Sequence, residues 1–219
     1  MEIFYTRSSS VSSALIEHAL TSLPDKLVKR YRSFHRLQDR INGIAGWLLL
    51  MKATATLSGH CSLSRIEYNL WKRPYFSGEA DFNISHSGDC VVCAYVESGS
   101  VGVDVEQITE IKPREFRQVF SEQEWNLLEN SWNVPGLFFR IWTYKEAIMK
   151  ADGRGLNLEP KTIGWDYHPC IVDGKAWFTK EFILEQDFQV TLAGNEAIEK
   201  YVLHQIDIEE LFQISQFGR

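Results

Sequence analysis

The segment VGVDVEQI, residues 101–108, constrains the fold of this chain more than any other stretch. In a β-strand, residues two apart point to the same face, so Val103 and Val105 share one face while Asp104 and Glu106 share the other. Neighbouring carboxylates repel each other, and burying them is costly unless a partner compensates their charge. The segment is therefore either an edge strand with a solvated polar face or part of a divalent-metal site.

The composition is that of an ordinary globular protein. The 219 residues are 44% hydrophobic and 24% charged, which is enough chain for one large domain or two modest ones. The most apolar stretch, IAGWLLLM at 44–51, is too short to cross a membrane, and the first residues lack the pattern of a signal peptide. We therefore expect a cytoplasmic protein with no membrane partner.

The cysteines do not form a convincing metal or redox motif. Cys90 and Cys93 form a single CxxC within a predicted strand, where residues three apart face opposite sides, and Cys61 and Cys170 lie elsewhere. We interpret these cysteines as small buried apolar residues.

The charge pattern limits the class of partner. The net charge of −6 argues against nucleic acid as a partner. One basic cluster stands out at residues 26–40, KLVKRYRSFHRLQDR, which is either a solvated helix face or an anion-binding patch.

The order of predicted elements indicates an α+β protein. A helix predicted over residues 24–57 precedes three strands that end near residue 108, and helices followed by strands appear again in the second half. A long helix is predicted to end at Gly153, which suits a helix C-cap. This repetition predicts two similar α+β halves, residues 1–100 and 101–219.

Two further polar groups accompany the carboxylate pair. Glu146 and Lys150 are four residues apart on the long helix and share a face, as either a surface ion pair or a partly covered one. His86 stands beside Ser85 in NISHSGD, a predicted turn between strands. Three carboxylates suit Mg²⁺ or Mn²⁺, and cationic side chains suit a polyphosphate. Together they predict metal-assisted displacement at phosphorus.

These segments also resemble a known family. VGVDVEQI, FSEQEW and WTYKEAIMKADGRGL, in this order, resemble the surfactin-activator (Sfp-like) class of 4′-phosphopantetheinyl transferases. RPYF and FNISHSGD resemble its upstream blocks, so the resemblance spans about residues 30 to 160. It implies a pseudo-dimer of two α+β halves with the active site in the cleft between them. It also implies transfer of phosphopantetheine from coenzyme A to a serine of an apo acyl or peptidyl carrier protein, with release of 3′,5′-ADP.

The resemblance implies roles for individual residues. Asp104, Glu106 and Glu146 would hold Mg²⁺, or Mn²⁺, against the pyrophosphate of coenzyme A. Asp104, Glu146 and Lys150 would be catalytic, with Glu146 as the general base and Lys150 on a phosphate. The remaining coenzyme A contacts would come from Arg73, Ser85, His86, Lys29, Arg30 and Arg40. Asn42 stands near a position where the family has an arginine, so Arg40 or Arg36 would replace that contact.

The sequence also suggests two alternative functions and a docking site for the carrier protein. A protein that binds coenzyme A or a carrier without transfer, or a metal-dependent phosphohydrolase, would use similar residues. Residues 109–120 are expected either to dock the carrier protein or to pack on the core as an amphipathic helix. The docking residues would be Lys112, Arg114, Phe116, Arg117 and Phe120. The pseudo-dimer architecture implies a monomer.

Overall fold

The computed structural model describes residues 1–9, 11–58, 63–78, 80–165 and 167–214. Cys61 lies outside the described residues. In these ranges, no helix combines the length and the apolar character needed to cross a membrane. The strands in chain order are β1 Glu2–Arg7, β2 Ile66–Tyr68, β3 Pro74–Phe76, β4 Asp81–Ser87, β5 Cys90–Val96, β6 Val101–Gln107, β7 Cys170–Val172, β8 Lys175–Leu184, β9 Phe188–Gly194 and β10 Val202–Gln205. The α-helices are α1 Ser13–Leu20, α2 Asp25–Arg32, α3 Leu37–Ser58, α4 Glu122–Glu129, α5 Val134–Asp152 and α6 Ile208–Phe212.

Within the described residues, the strands form two four-stranded sheets and one small hairpin. The first sheet has the order β10-β1-β5-β4, with β1 parallel to β10 and antiparallel to β5. The second sheet, β6-β9-β8-β7, is antiparallel throughout. Strands β2 and β3 pair separately. The mixed α+β class predicted from the sequence is confirmed.

The helices of the first half pack on the first sheet through an apolar core. The prediction of one helix over residues 24–57 was wrong in one respect. The segment forms two helices, α2 and α3, separated by a non-helical connection. The Ser33 hydroxyl donates to the Arg30 carbonyl at 2.7 Å, which ends α2 by offering the backbone another partner. Helix α2 then packs on α3, and the Trp47 indole donates to the Tyr31 hydroxyl at 2.6 Å.

Helix α5 covers the second sheet and lies directly on β6. Gly102 makes this possible, because a Cβ there would overlap the Ala147 carbonyl oxygen and lie 2.5 Å from the Ala151 nitrogen. The helix ends at Gly153, whose φ of 87° is left-handed, as the sequence predicted. The absence of a side chain at one strand position therefore sets the spacing between β6 and α5.

The end of the chain returns to the first sheet. Strand β10 pairs with β1, and α6 buries Leu211 and Phe212 in the same core as α3. The first sheet thus contains a strand from the region that the sequence assigned to residues 101–219. The division at residue 100 stays a prediction.

The described cysteines are buried and free of disulfides. Cys90, Cys93 and Cys170 each lie in a hydrophobic core. Burial raises the pKa of the Cys90 thiol to about 12, so this sulfur is protonated at neutral pH and is a poor metal ligand or nucleophile. For these three cysteines the apolar interpretation is confirmed.

Candidate active site

One pocket gathers most of the residues that the sequence singled out. It has a volume of about 290 Å³ and lies between β4, β6 and α5. Six of the ten predicted site residues line it. The complete lining is Ile84, Ser85, His86, Asp104, Glu106, Trp142, Glu146 and Lys150.

Strand β6 is held beside β4 by side chains, not by a backbone ladder. Alternate residues of β4 accept hydrogen bonds from alternate N–H groups of β6. The four donor–acceptor pairs are Val101 to Asp81 at 2.9 Å, Val103 to Asn83 at 3.1 Å, Val105 to Ser85 at 3.3 Å and Gln107 to Ser87 at 3.1 Å. These four hydrogen bonds satisfy the N–H groups along the edge of β6 that no strand of the second sheet covers. They also hold Asp104 and Glu106 of β6 against the first sheet.

Asp104 is buried, with a relative exposure of only 3%. The edge-strand hypothesis is therefore right about the position of β6 in its sheet and wrong about a solvated Asp104. Ser85 donates to Asp104 Oδ1 at 2.9 Å, while Asp104 Oδ2 is buried and has no hydrogen-bond partner among the described residues. A buried carboxylate oxygen without a partner is costly, so this oxygen is available to a cation or another donor.

Lys150 supplies positive charge beside Asp104. Its ammonium lies 2.6 Å from Asp104 Oδ1 and also donates to the Ser85 hydroxyl at 2.8 Å and the Val103 carbonyl at 3.2 Å. The sequence spacing suggested Glu146 as the partner of Lys150. Within the described chain, the ion pair of Lys150 is with Asp104, because α5 lies close enough to β6 for the ammonium to cross to it.

The other two carboxylates are held in a poorly solvated place. Burial raises the pKa of Glu146 to about 6; Lys150 opposes that shift, and the charges of Asp104 and Glu106 add to it. Burial and Asp104 likewise raise the pKa of Glu106, against the effect of the Ser87 hydroxyl, which donates to it at 2.6 Å. The three carboxylates therefore interact electrostatically, and one lysine does not neutralise them all.

The donor chemistry of the pocket fits a hard divalent cation. Among the residues that the structure describes, no three His, Cys, Asp or Glu side chains are arranged to hold a metal ion. Mg²⁺ nevertheless prefers carboxylate oxygens, and Asp104 Oδ2 offers one that is otherwise unsatisfied. Asp104, Glu106 and Glu146 are the residues that would hold the cation.

The raised pKa of Glu146 predicts a pH-dependent stability in the absence of divalent cations. The pKa rises from 4.5 to about 6 on folding, so the folded protein binds this proton more tightly. The stabilisation, ~2 kcal/mol, is complete below pH 4.5 and is lost as the pH rises through 6. Urea unfolding with EDTA should show this loss in the wild type. The Glu146→Gln variant should lack it, so a wild-type-minus-variant difference that is flat across this window would contradict the prediction.

Arg73 lies behind the pocket rather than in its lining. Its guanidinium donates to both carboxylate oxygens of Asp81, to the Lys150 carbonyl at 2.8 Å and to the Val101 carbonyl at 2.9 Å. These contacts join β4, β6 and the end of α5. The predicted contact of Arg73 with a nucleotide stays a prediction.

The predicted residues of the basic segment are not among the residues that line the pocket. Lys29 and Arg30 are exposed on α2, and Arg40 on α3 pairs with Glu17 at 2.7 Å. None of the three is in the described pocket lining. Asn42 is buried, where it donates to the Gly88 carbonyl and accepts from the Gln38 amide. The roles of these cations in binding stay predictions.

The predicted docking segment, residues 109–120, is buried only at its end, at Val119 and Phe120. Phe120 is fully buried, and Phe116 packs against Phe138 and Trp142. The docking role expected for Phe120 was therefore wrong, because this ring is enclosed in the hydrophobic cluster around α5. Phe116 is half-buried against the same cluster, and its docking role stays a prediction. Lys112 and Arg114 are exposed.

A buried lysine beside the pocket was missed from the sequence. Lys145 is fully buried, and its ammonium lies 2.8 Å from Glu124 and 2.9 Å from the Pro160 carbonyl. Glu124 also closes a capping box with Ser121 at the start of α4. The S-x-x-E spacing at residues 121–124 was visible in the sequence and could have indicated the cap. Because Glu146 is the next residue, this ion pair helps to fix the rotation of α5.

Comparison with known proteins identifies the family. A model of the 4′-phosphopantetheinyl transferase superfamily matches residues 100–203. The chain is 38% identical over 92 residues to the 4′-phosphopantetheinyl transferase gsp of Aneurinibacillus migulanus. The aligned residues cover 41% of this chain and 38% of the relative. The chain is also 32% identical over 146 residues to the L-aminoadipate-semialdehyde dehydrogenase-phosphopantetheinyl transferase of Schizosaccharomyces pombe, covering 55% of each.

A longer match decides the assignment. A Haemophilus influenzae protein assigned to the 4′-phosphopantetheinyl transferases is 32% identical over 194 residues, which cover 74% of this chain and 77% of that protein. The chain spans between about two fifths and three quarters of the length of these three relatives. The chain belongs to the 4′-phosphopantetheinyl transferase superfamily, and the enzyme class predicted from the sequence is confirmed.

Proposed function

We propose that this protein transfers the 4′-phosphopantetheine arm of coenzyme A to a serine of an apo acyl or peptidyl carrier protein and releases 3′,5′-ADP. We place it in the surfactin-activator class of the superfamily. The observation that carries the proposal is the meeting of Asp104, Glu106, Glu146 and Lys150 in one pocket. Carboxylates that bind a cation, beside an ammonium, suit displacement at a pyrophosphate.

The proposed cation is Mg²⁺, or Mn²⁺, held by Asp104, Glu106 and Glu146. Bound there, it would neutralise charge on the pyrophosphate of coenzyme A. The unsatisfied Asp104 Oδ2 supports this assignment because it offers a free carboxylate oxygen. The raised pKa values of both glutamates, caused first by burial and further by the neighbouring carboxylates, show that their charged forms lack solvation that a cation would replace.

The chemical step follows from the side chains of the pocket. The carrier serine Oγ attacks the phosphorus that bears the pantetheine arm, and the bond from that phosphorus to the oxygen of the departing 3′,5′-ADP breaks. Glu146, which lines the pocket beside Asp104 and Lys150, accepts the serine proton. Lys150 turns its donors toward the phosphate oxygens, and Ser85 and His86, which also line the pocket, add polar contacts.

The remaining predicted residues would bind the rest of coenzyme A. We propose that Arg73 contacts the nucleotide and that Lys29, Arg30 and Arg40 serve its phosphates. In this proposal the active site is the cleft between halves 1–100 and 101–219 of a pseudo-dimer. The position of the pocket between β4 and β6, strands of different sheets, supports this arrangement. The monomeric state and the cytoplasmic location stay predictions.

Intact-protein mass spectrometry tests the transfer directly. The protein is mixed with coenzyme A, Mg²⁺ and a panel of apo acyl and peptidyl carrier proteins, and each carrier is weighed. We expect one phosphopantetheine to be added to at least one carrier and an equal amount of 3′,5′-ADP to appear. Both products should disappear when EDTA replaces Mg²⁺.

The other outcomes distinguish the rival functions. Coenzyme A binding without modification of any carrier would favour a binding protein that does not catalyse transfer. Release of 3′,5′-ADP with unmodified carriers would favour a phosphohydrolase. Absence of coenzyme A binding would overturn the proposed donor.

A further inference from the structure

Two serines of β4 each make the same pair of contacts with β6. The Ser85 hydroxyl accepts from the Val105 N–H and donates to Asp104, and the Ser87 hydroxyl accepts from the Gln107 N–H and donates to Glu106. In both cases the serine bonds one residue's carboxylate and the next residue's backbone. The two contacts repeat with the two-residue period of the strands.

The hydrogen bonds define where each hydroxyl hydrogen lies. A serine hydroxyl has one hydrogen and two lone pairs. Backbone N–H groups can only donate, so they occupy lone pairs of the serine oxygens. The single hydrogen of Ser87 therefore points to Glu106 Oε2 at 2.6 Å, a short distance typical of a hydroxyl that donates to a charged carboxylate.

We infer that Ser87 is a positioning residue that orients Glu106 for the cation. This inference rests on the proposed function, in which Glu106 is a cation ligand. Ser87, on β4, holds one oxygen of Glu106 in place. The carboxylate is therefore already ordered before the cation binds. Because its backbone contact is to Gln107, the serine also fixes the main chain beside the residue whose side chain it orients.

The inference predicts a loss of cation affinity when the Ser87 hydroxyl is removed. Partners that orient ligands typically contribute 10- to 100-fold to metal affinity, so Ser87→Ala is expected to raise the Kd for Mn²⁺ about tenfold. Ser87→Thr keeps the hydroxyl and a residue suited to strands, and its Kd is expected to stay within about twofold of the wild type. Isothermal titration calorimetry with Mn²⁺ on the full chain measures each value.

A double-mutant cycle separates orientation of Glu106 from general damage. Once Glu106 is replaced in Glu106→Gln, adding Ser87→Ala should change the Kd little further. Should Ser87→Ala fail to fold, Ser87→Cys takes its place, because a thiol is a weak donor of similar size. A merely structural serine would lower the melting temperature and leave the Kd unchanged, and that result would overturn the inference. Absence of Mn²⁺ binding by the wild type would instead overturn the proposed cation site, and the inference with it.

Discussion

Asp104→Asn is expected to lower kcat/KM for phosphopantetheine transfer by roughly 100- to 1,000-fold, a range typical for loss of one electrostatic group in an active site. Asparagine has nearly the same shape and can still accept the hydrogen bond of Ser85. It removes the negative charge that Lys150 contacts at 2.6 Å and the carboxylate oxygen, Oδ2, that has no hydrogen-bond partner among the described residues. The variant therefore tests charge at this position rather than packing.

The fold is expected to survive this substitution. The Lys150 side chain is 25% exposed, so its ammonium can turn toward solvent once its counterion is gone. Circular dichroism and urea unfolding should show a folded protein, while Mn²⁺ titration should show weaker binding. Asp173→Asn is the matched control, because Asp173 lies in an exposed turn with a φ of 49° that asparagine tolerates. Near-normal transfer by Asp104→Asn would contradict the proposed role of this carboxylate.

Gly102→Ala is expected to destabilise the protein by about 3 kcal/mol, at the upper end of the usual range for overpacking. The added methyl group would meet two backbone atoms of α5, which cannot yield as a side-chain end can. The helix must therefore move away from β6. Because Glu146 and Lys150 lie on α5 and Asp104 lies on β6, the same movement should lower transfer by about 100-fold, as a misplacement of ~1 Å can do.

Gly194→Ala provides the matched control for this prediction. Gly194 lies on the neighbouring strand β9, and a Cβ there would have contacts no closer than 3.4 Å. Its unfolding free energy is expected to change by no more than about 1 kcal/mol. Urea denaturation and the mass-spectrometric transfer assay should be run on both variants. Equal stabilities and equal activities for Gly102→Ala and Gly194→Ala would contradict the prediction that the close contact between β6 and α5 at Gly102 makes this substitution harmful.

Local patterns predicted much of the site because strand and helix periods decide which side chains share a face. The alternation in VGVDVEQI placed Asp104 and Glu106 together, and the four-residue spacing placed Glu146 and Lys150 on the inner face of α5. The glycine stop at Gly153 also followed from local backbone chemistry. These predictions needed only residues close in sequence.

The partners of those residues could not be predicted in the same way. That Lys150 pairs with Asp104 depends on the distance between α5 and β6, which Gly102 sets. Lys145 and Glu146 are adjacent in sequence, and only the tertiary fold decides which of them enters the pocket and which is buried against Glu124. Non-local packing likewise turned Phe120 from an expected docking residue into a core residue.

The pairing of β1 with β10 has a consequence for the way the chain folds during synthesis. Glu2 pairs with Val202, whereas the second sheet needs no strand beyond Gly194. The second sheet can therefore assemble on the ribosome while β1 still has one unpaired edge. Strand β1, with four consecutive buried residues, is an apolar template for another chain until β10 emerges. This edge of β1 thus stays open to pairing with another chain until residues 202–205 have emerged.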